Sequence, residues 1–463
     1  MESSSQYINR ISREYALHVL TSGRAIPSLY DGLKTPQRIA LWLMHDKASE
    51  KKTAGLAGAM IESLLYNHGN TPAEDTISYI AAPFLNNHTF FDPIGAFGTK
   101  VDPYGFASAR YTSVKKSKFA EEHLFKDIDI LPMRENYDGS ARMPFTFAPH
   151  LPLVLLNGVV GIAVGYATTI FPRSLEQIKK STIEYIEKGK IKTDLTPSYT
   201  NYDVVVTPLD KKRIEISGRI TKISANRYRV TEVLPGMSLL KLRETMILLS
   251  EDQLDAEGRV KKAAIIEDFV DNSQKTIDVE VTFCPGALRA NEQDQDVLRR
   301  MGLVEVQSEN ITVLTNNGVD TLAGPEEVIR QFVEWRLTLY PDRYKRLIAQ
   351  EEYEALFWKS FKACLEGGKT TKSDPIPVML HLIKDKDELK EVMRELISDH
   401  GYEINEDIIE RLASLPIHRW TKTGPNECKS KIAESKTRET EYRAILKSPD
   451  RMKKIYVDEI KAL

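Results

Sequence analysis

At 463 residues, 41% hydrophobic and 28% charged, the chain is long enough for two or more domains with their own cores. A formal net charge of −2 excludes a chain that is basic throughout, so any nucleic-acid partner must be met by a local basic patch. Three cysteines, Cys284, Cys364 and Cys428, lie far apart without metal-ligand spacing, which fits a reducing cytosolic setting, and the N-terminal MESSSQYINRIS holds no apolar signal core.

The spacing of apolar residues predicts three short helices between residues 35 and 85. The first opens with Thr35 as N-cap and Pro36 at the next position, and carries Ile39, Leu41, Trp42 and Leu43. The second opens at Thr53 and carries Leu56, Met60, Ile61 and Leu64. Gly69 breaks the chain, and Thr71-Pro72-Ala73-Glu74 reads as a capping box leading into Ile77, Ile80 and Phe84. Three short helices with a tight turn before the last resemble a helix-turn-helix, although such packing is also common in helical domains that never touch DNA.

Beyond them come the turn glycines Gly95, Gly98 and Gly105, a short strand expected over Ala109–Val114, and an amphipathic helix from Phe119. The apolar run Leu151–Ile170 is interrupted by Asn157-Gly158 and reads as a buried strand–turn–strand rather than a membrane helix. Residues 200–235 alternate as strands, a helix follows Ser238, strands follow at 264–270 and 277–283, and a hairpin turns at Asn316-Asn317-Gly318. From Glu326 the period becomes helical, with Val328, Phe332, Trp335, Leu339 and Leu347 on one side and a kink expected at Pro341. A second charged helix is expected from Asn426 to Leu463. Two long charged helices around a compact segment (370–420) suggest an antiparallel coiled-coil arm with a globule at its tip, and the whole an α+β multidomain chain.

Within Ser108-Ala109-Arg110-Tyr111-Thr112, a tyrosine follows an arginine and precedes Lys115, Lys116 and Lys118. A phenol, with a pKa of about 10, needs help to act as a nucleophile at neutral pH. A neighbouring guanidinium and a basic surround lower the cost of the phenolate and hold an anionic phosphate in line. Taken alone, the pentapeptide fits an ordinary half-buried tyrosine beside a solvated basic face better.

Further runs decide between the two: Gly23-Arg24-Ala25-Ile26-Pro27, Asp31-Gly32-Leu33-Lys34, His68-Gly69, Gly95-Ala96-Phe97-Gly98, Ala109-Arg110-Tyr111-Thr112, Asn136-Tyr137-Asp138-Gly139 and the block Leu151–Thr168. In these ordered motifs the chain resembles the DNA-breakage subunit of type IIA topoisomerases, the gyrase A class. It is most similar to the T-even-type bacteriophage branch, whose medium subunit lacks a gyrase-type C-terminal extension. The resemblance covers nearly all of the chain from about residue 15.

The resemblance implies a winged-helix DNA-gate domain over 15–125, an α/β tower domain over 126–325, and a coiled-coil arm (326–368 and 426–463) carrying an exit-gate globule (370–420). Tyr111 would become joined to a 5′ phosphate, with Arg110 neutralising the scissile phosphate. Arg24, Lys34, Arg38 and His68 match basic positions around bound duplex, and Thr71, Lys115 and Lys116 would meet phosphate. Thr71 and Asp75 fall where the family's quinolone-contacting pair lies. Met143 aligns with an apolar residue that wedges between base pairs; it can equally pack against Pro144 and Phe145. Asn70, Tyr66-Asn67 and Gln37 depart from the family pattern.

No P-loop is present, and Asp127-Ile128-Asp129 lacks the acidic companions of a magnesium site and reads as surface charge. Mg²⁺ and ATP are therefore expected on partner subunits, with DNA and a second copy of the chain as the other partners and the cytoplasm, a host's if phage-encoded, as the setting. The rival class is a non-enzymatic helix-turn-helix DNA-binding protein; a tyrosine recombinase would need a scattered Arg/His/Lys constellation that is not evident.

Overall fold

The computed structural model describes residues 4–254, 260–289 and 292–463. Two compact units are present, Met1–Arg336 with Tyr456–Leu463, and Leu337–Ile455. The first unit mixes helices and strands, whereas the second is built of helices.

The first unit opens with α1 (Ser4–Thr21), a helix outside the expected set, followed by α2 (Thr35–Met44), β1 (Lys51–Lys52), α3 (Thr53–Glu62), α4 (Asn70–Ala81), β2 (Phe91–Ile94), β3 (Ser113–Lys116) and α5 (Lys118–Leu124). The three predicted helices are thus α2, α3 and α4. Ile39, Leu41 and Met44, Leu56 and Met60, and Ile77 and Ile80 are all buried, so the three- and four-residue spacing marks the faces that meet. Their first residues differ from expectation. Lys34 holds the cap position of α2 and its N–H donates to Gln37 Oε1 at 2.8 Å, while the Thr35 hydroxyl turns away to the Ser22 carbonyl. In α4 the cap is Gly69 and the helix already includes Asn70, so Thr71 is inside the first turn and no Thr71–Glu74 box forms; Glu74 Oε1 accepts from Asn70 Nδ2 at 2.8 Å.

β1, β3 and β2 form an antiparallel sheet with β3 in the middle, pairing Lys51 with Val114 and Phe91 with Lys116. The strand expected at Ala109 begins only at Ser113, since residues 109–111 make a turn in which the Tyr111 N–H donates to the Ser108 carbonyl at 2.8 Å.

The apolar run from Leu151 is also rearranged. Leu153–Leu155 is one 3-10 turn, and the hairpin pairs Val159–Ala163 with Tyr166–Ile170 around Val164-Gly165. Asn157 cannot supply the turn because its amide is bonded both ways to the His88 backbone, at 2.8 and 2.9 Å. The hairpin is buried on one face only: Thr168 and Ile170 are enclosed, whereas Val160, Ile162 and Val164 face solvent. Among the described residues no helix is long and apolar enough to cross a membrane.

Further along, the segment read as one strand around Arg213–Lys222 serves two sheets. Arg213–Ser217 pairs with Val205–Pro208 and Val304–Ser308, whereas Arg219–Lys222 joins a four-stranded antiparallel sheet. The switch falls at Gly218, where a Cβ would stand 2.4 Å from the Glu232 carbonyl oxygen. Tyr228, Val279, Val281 and Phe283 of that sheet pack on Leu242 and Met246 of the helix Leu239–Ser250. Asp127, read as surface charge, is instead buried and ion-paired with Arg336.

In the second unit, the helix Pro325–Glu366, of which Leu337 onward belongs here, continues through Pro341 without interruption. The expected final helix is two, Pro425–Leu446 and Pro449–Ala462, because Pro449 has no N–H to continue the first and disfavours helical geometry at Ser448. Glu351 pairs with Arg438 at 2.8 Å, Glu352 with Arg443, and the Tyr344 and Tyr442 rings lie 5.9 Å apart, so the two long helices run antiparallel. Four short helices between Ile376 and Lys422 close on a core of Phe361, Met393, Leu396, Ile408, Leu412 and Trp420, in which the free thiols of Cys364 and Cys428 are buried.

Candidate nucleic-acid interface

Tyr111 sits on the turn between Ser108 and β3, 66% exposed, and the Arg110 guanidinium carbon lies 4.8 Å from its ring centroid. The backbone beneath is tightly held. Thr53 N–H donates to the Thr112 carbonyl at 3.0 Å, Ala54 N–H to the Ala109 carbonyl at 3.2 Å, and Thr112 Oγ1 to Thr53 Oγ1 at 2.8 Å. Both threonine side chains are buried, so the turn is clipped to the first residues of α3. From the other side Ala107 N–H donates to the Ala96 carbonyl at 3.0 Å. Gly98, at φ +85°, passes so close to the Pro103 carbonyl that a Cβ would stand 2.3 Å from its oxygen, which accounts for the second glycine of Gly95-Ala96-Phe97-Gly98. An exposed phenol with a neighbouring cation, on a rigid turn, can reach an external electrophile without unfolding anything.

β3 carries the next two basic residues. Lys115 is exposed, while Lys116 is engaged, its Nζ donating to the His45 carbonyl at 2.8 Å and pairing with Glu121 at 3.2 Å. Thr71 and Asp75 are both exposed near the start of α4, whose first-turn N–H groups add a positive end.

The sequence-selected Arg24, His68, Asn136, Tyr137 and Met143 meet, with Arg134, in a cavity of about 370 Å³. Arg110 and Tyr111 do not line it. Burial and then the Arg24 charge hold the His68 imidazole pKa below its ordinary value. Lys34 Nζ donates to the Val160 carbonyl at 2.7 Å, and burial lowers its pKa.

Two residues are placed otherwise than expected. Arg38 is 3% exposed and its guanidinium is spent inside the fold: Nε and Nη2 donate to Asp31 at 2.6 and 2.9 Å, and Nη2 to the Leu33 carbonyl at 3.1 Å. It braces the Asp31-Gly32-Leu33 turn through Nε and Nη2. Met143 is 1% exposed, in the hairpin of Met133–Glu135 with Arg142–Pro144. Of its two readings, the packing one describes this state, because the thioether is enclosed and accepts from Arg134 Nη2 at 3.5 Å. The roles of Arg134 and of the Thr53–Thr112 clip were not read from the sequence; both depend on residues joined only by the fold, and no local motif marks them.

Among the described residues, no group of three or more His, Cys, Asp or Glu is placed to hold a metal ion. The residues described in this chain do not supply a donor set that fits Mg²⁺.

The nematode Caenorhabditis elegans DNA topoisomerase 2 top-2 is 29% identical over 350 residues, which is 73% of this chain but only 22% of that protein. The DNA topoisomerase medium subunit of Enterobacteria phage T4 is 29% identical over 346 residues, 73% of this chain and 74% of the T4 protein. The fold matches the crystal structure of the Plasmodium falciparum topoisomerase II DNA-binding, cleavage and re-ligation domain, with a TM-score of 0.81 at 22% identity, over 99% of this chain and 64% of that one. The family model for the A subunit of DNA gyrase/topoisomerase IV matches residues 24–461, and the chain belongs to that family.

Proposed function

We propose that the chain is the DNA-breaking and rejoining subunit of an ATP-dependent type II topoisomerase, with Tyr111 as nucleophile. The observation that carries the reading is the exposed Tyr111 on its clipped turn, under the Arg110 guanidinium. The Tyr111 oxygen bonds to phosphorus of a DNA phosphodiester, the phenol loses its proton, and the departing 3′ oxygen gains one. The phosphotyrosyl ester on the 5′ end keeps the bond energy for religation. Arg110 neutralises charge on the reacting phosphate, where such stabilisation is worth most. Arg24, His68, Thr71 and Lys115, all exposed, hold the duplex backbone, and Asp75 with Thr71 marks a drug-binding edge. Arg38 and Lys116 support this surface from within.

In this reading α2–α4 with the sheet of β1–β3 form a winged-helix gate domain (15–125), residues 126–325 a tower domain, and residues 326–463 a coiled-coil arm with an exit-gate globule at 370–420. Two copies place two Tyr111 residues on opposite strands, so that a double-strand break opens for a second duplex. A partner subunit brings the ATPase and the Mg²⁺, and the cytoplasm is the working compartment. The test mixes the chain with such a partner, plasmid, ATP and Mg²⁺, denatures rapidly, and assays DNA ends. Protein on 5′ ends supports the reading; protein on 3′ ends, or no linkage with a partner proven active, refutes it.

A further inference from the structure

Arg134 is unlike the other arginines of the first unit's surface. It lies on the strand Met133–Glu135, register-paired with Met143, and its side chain lines the cavity that also holds Arg24 and His68. Its hydrogen-bond partner among the described residues is a thioether, Met143 Sδ at 3.5 Å from Nη2. The neighbouring carboxylates are already taken. Glu135 pairs with Arg142 at 2.6 Å, and both oxygens of Asp31 accept from Arg38. Burial, then the like charge of Arg38, bring the Arg134 pKa down to about 10, with Asp31 only partly opposing. It stays charged at neutral pH, with no carboxylate of its own to pair with among the described residues, in a cavity shared with Arg24 and His68. A half-buried guanidinium is costly unless something answers its charge, and a sulfur atom does not. A phosphate does, because the planar fork can donate two parallel bonds to its oxygens.

We propose that Arg134 is a DNA-phosphate ligand, and that the cavity shared by Arg24, His68 and Arg134 receives one backbone phosphate of the bound duplex. This rests on the DNA-cleaving reading above and adds to it a residue that the motifs do not mark. Binding replaces the Arg134–Met143 contact with a charge-assisted pair, so phosphate entry also frees the Met143 thioether from its donor.

The test measures duplex affinity of the full chain over a salt series, for the wild type, Arg134→Met and Arg134→Lys. Each neutralised phosphate contributes about 0.9 to the slope of log affinity against log salt, so the slope should fall by about one in Arg134→Met and return in Arg134→Lys. An unchanged slope in a folded Arg134→Met overturns the inference whatever the affinity does. A second measurement does not depend on the variant folding: modification of the wild-type protein by an arginine-directed dicarbonyl, read by mass spectrometry with and without saturating duplex. Several-fold protection of Arg134 is expected. Equal labelling in both, or no labelling in the free chain, overturns it. Steep wild-type binding with no Arg134 effect sinks this inference alone, whereas failure of the wild type to bind duplex sinks the DNA-cleaving reading as well.

Discussion

At the scale of single residues, Arg110 and Arg38 separate two uses of a guanidinium. Arg110 lies over the Tyr111 ring and faces outward, so Arg110→Ala should leave the fold intact and cost mainly reaction rate. Removing one transition-state donor of this kind slows chemistry by about 10²–10³-fold. Single-turnover cleavage at saturating protein should show that drop while duplex affinity changes little; the converse pattern would make Arg110 a binding residue. Arg38 is the opposite case. Arg38→Ala removes the cation paired with the fully buried Asp31 carboxylate, leaving it the Leu33 and Phe147 N–H donors, and breaking such a pair costs about 3–5 kcal/mol. A large loss in thermal unfolding midpoint is expected, and a stable variant with weakened DNA binding would restore Arg38 to the phosphate contacts. The nucleophile motif was legible because its chemistry is local: arginine, tyrosine and lysines within a few positions. Arg38 misled because basic residues look alike in sequence, and only the fold brings Asp31 to it.

At the scale of elements, the turn bearing Tyr111 owes its placement to α3. Thr112→Val should strand the Thr53 hydroxyl in the core, at a cost of about 1–3 kcal/mol, and loosen the turn. Cleavage should fall more than DNA affinity, with Thr112→Ser restoring both; an unchanged cleavage rate would show that the clip does not position Tyr111. On α5, His123 is buried, with its ring stacked 4.1 Å from Phe119. Burial first, then the charges of His150, Lys179 and His88, push its pKa from 6.5 down to about 3. The folded state therefore binds fewer protons than the unfolded chain between these values. Stability is full above about pH 6.5 and is lost as the pH falls towards 3, by up to about 1.4 kcal/mol per pH unit for this one proton. Thermal midpoints from pH 7 to 4.5 should fall, and less steeply in His123→Phe; identical slopes would assign the acid sensitivity elsewhere. Helices α2 to α4 were readable from buried-residue spacing, while their first residues were not, since neither Lys34, whose N–H is met by Gln37, nor Gly69 is a residue type that marks a cap. The hairpin around Val164-Gly165 was misplaced because Asn157-Gly158 has turn chemistry that is used instead to hold His88.

At the scale of the whole molecule, the proposed exit gate has a definable surface in the second unit. Leu412 is in the core, whereas Val378, Leu382 and Ile417 are 56%, 63% and 70% exposed. Large apolar side chains left open on a small globule fit contact with a second copy. The chain should sediment as a dimer at micromolar concentration, and Ile417→Asp should shift it towards monomer. A wild-type monomer would count against the gate. The long antiparallel helices were legible from charge and period, but the break at Ser448-Pro449 was not, because a lone proline in a strongly helical segment can also be accommodated, as Pro341 is.

The most direct measurement is the chemical identity of the DNA adduct. Cleavage complexes formed with the partner subunit, trapped by denaturant, digested with nuclease and protease and sequenced by mass spectrometry, report which side chain carries the nucleotide and through which end. The expected result is a 5′-phosphoryl nucleotide on Tyr111 in the wild type and no adduct in Tyr111→Phe, whose fold and duplex binding persist because only one exposed hydroxyl is lost. A nucleotide on any other residue, a 3′ linkage, or an adduct that survives in Tyr111→Phe contradicts it.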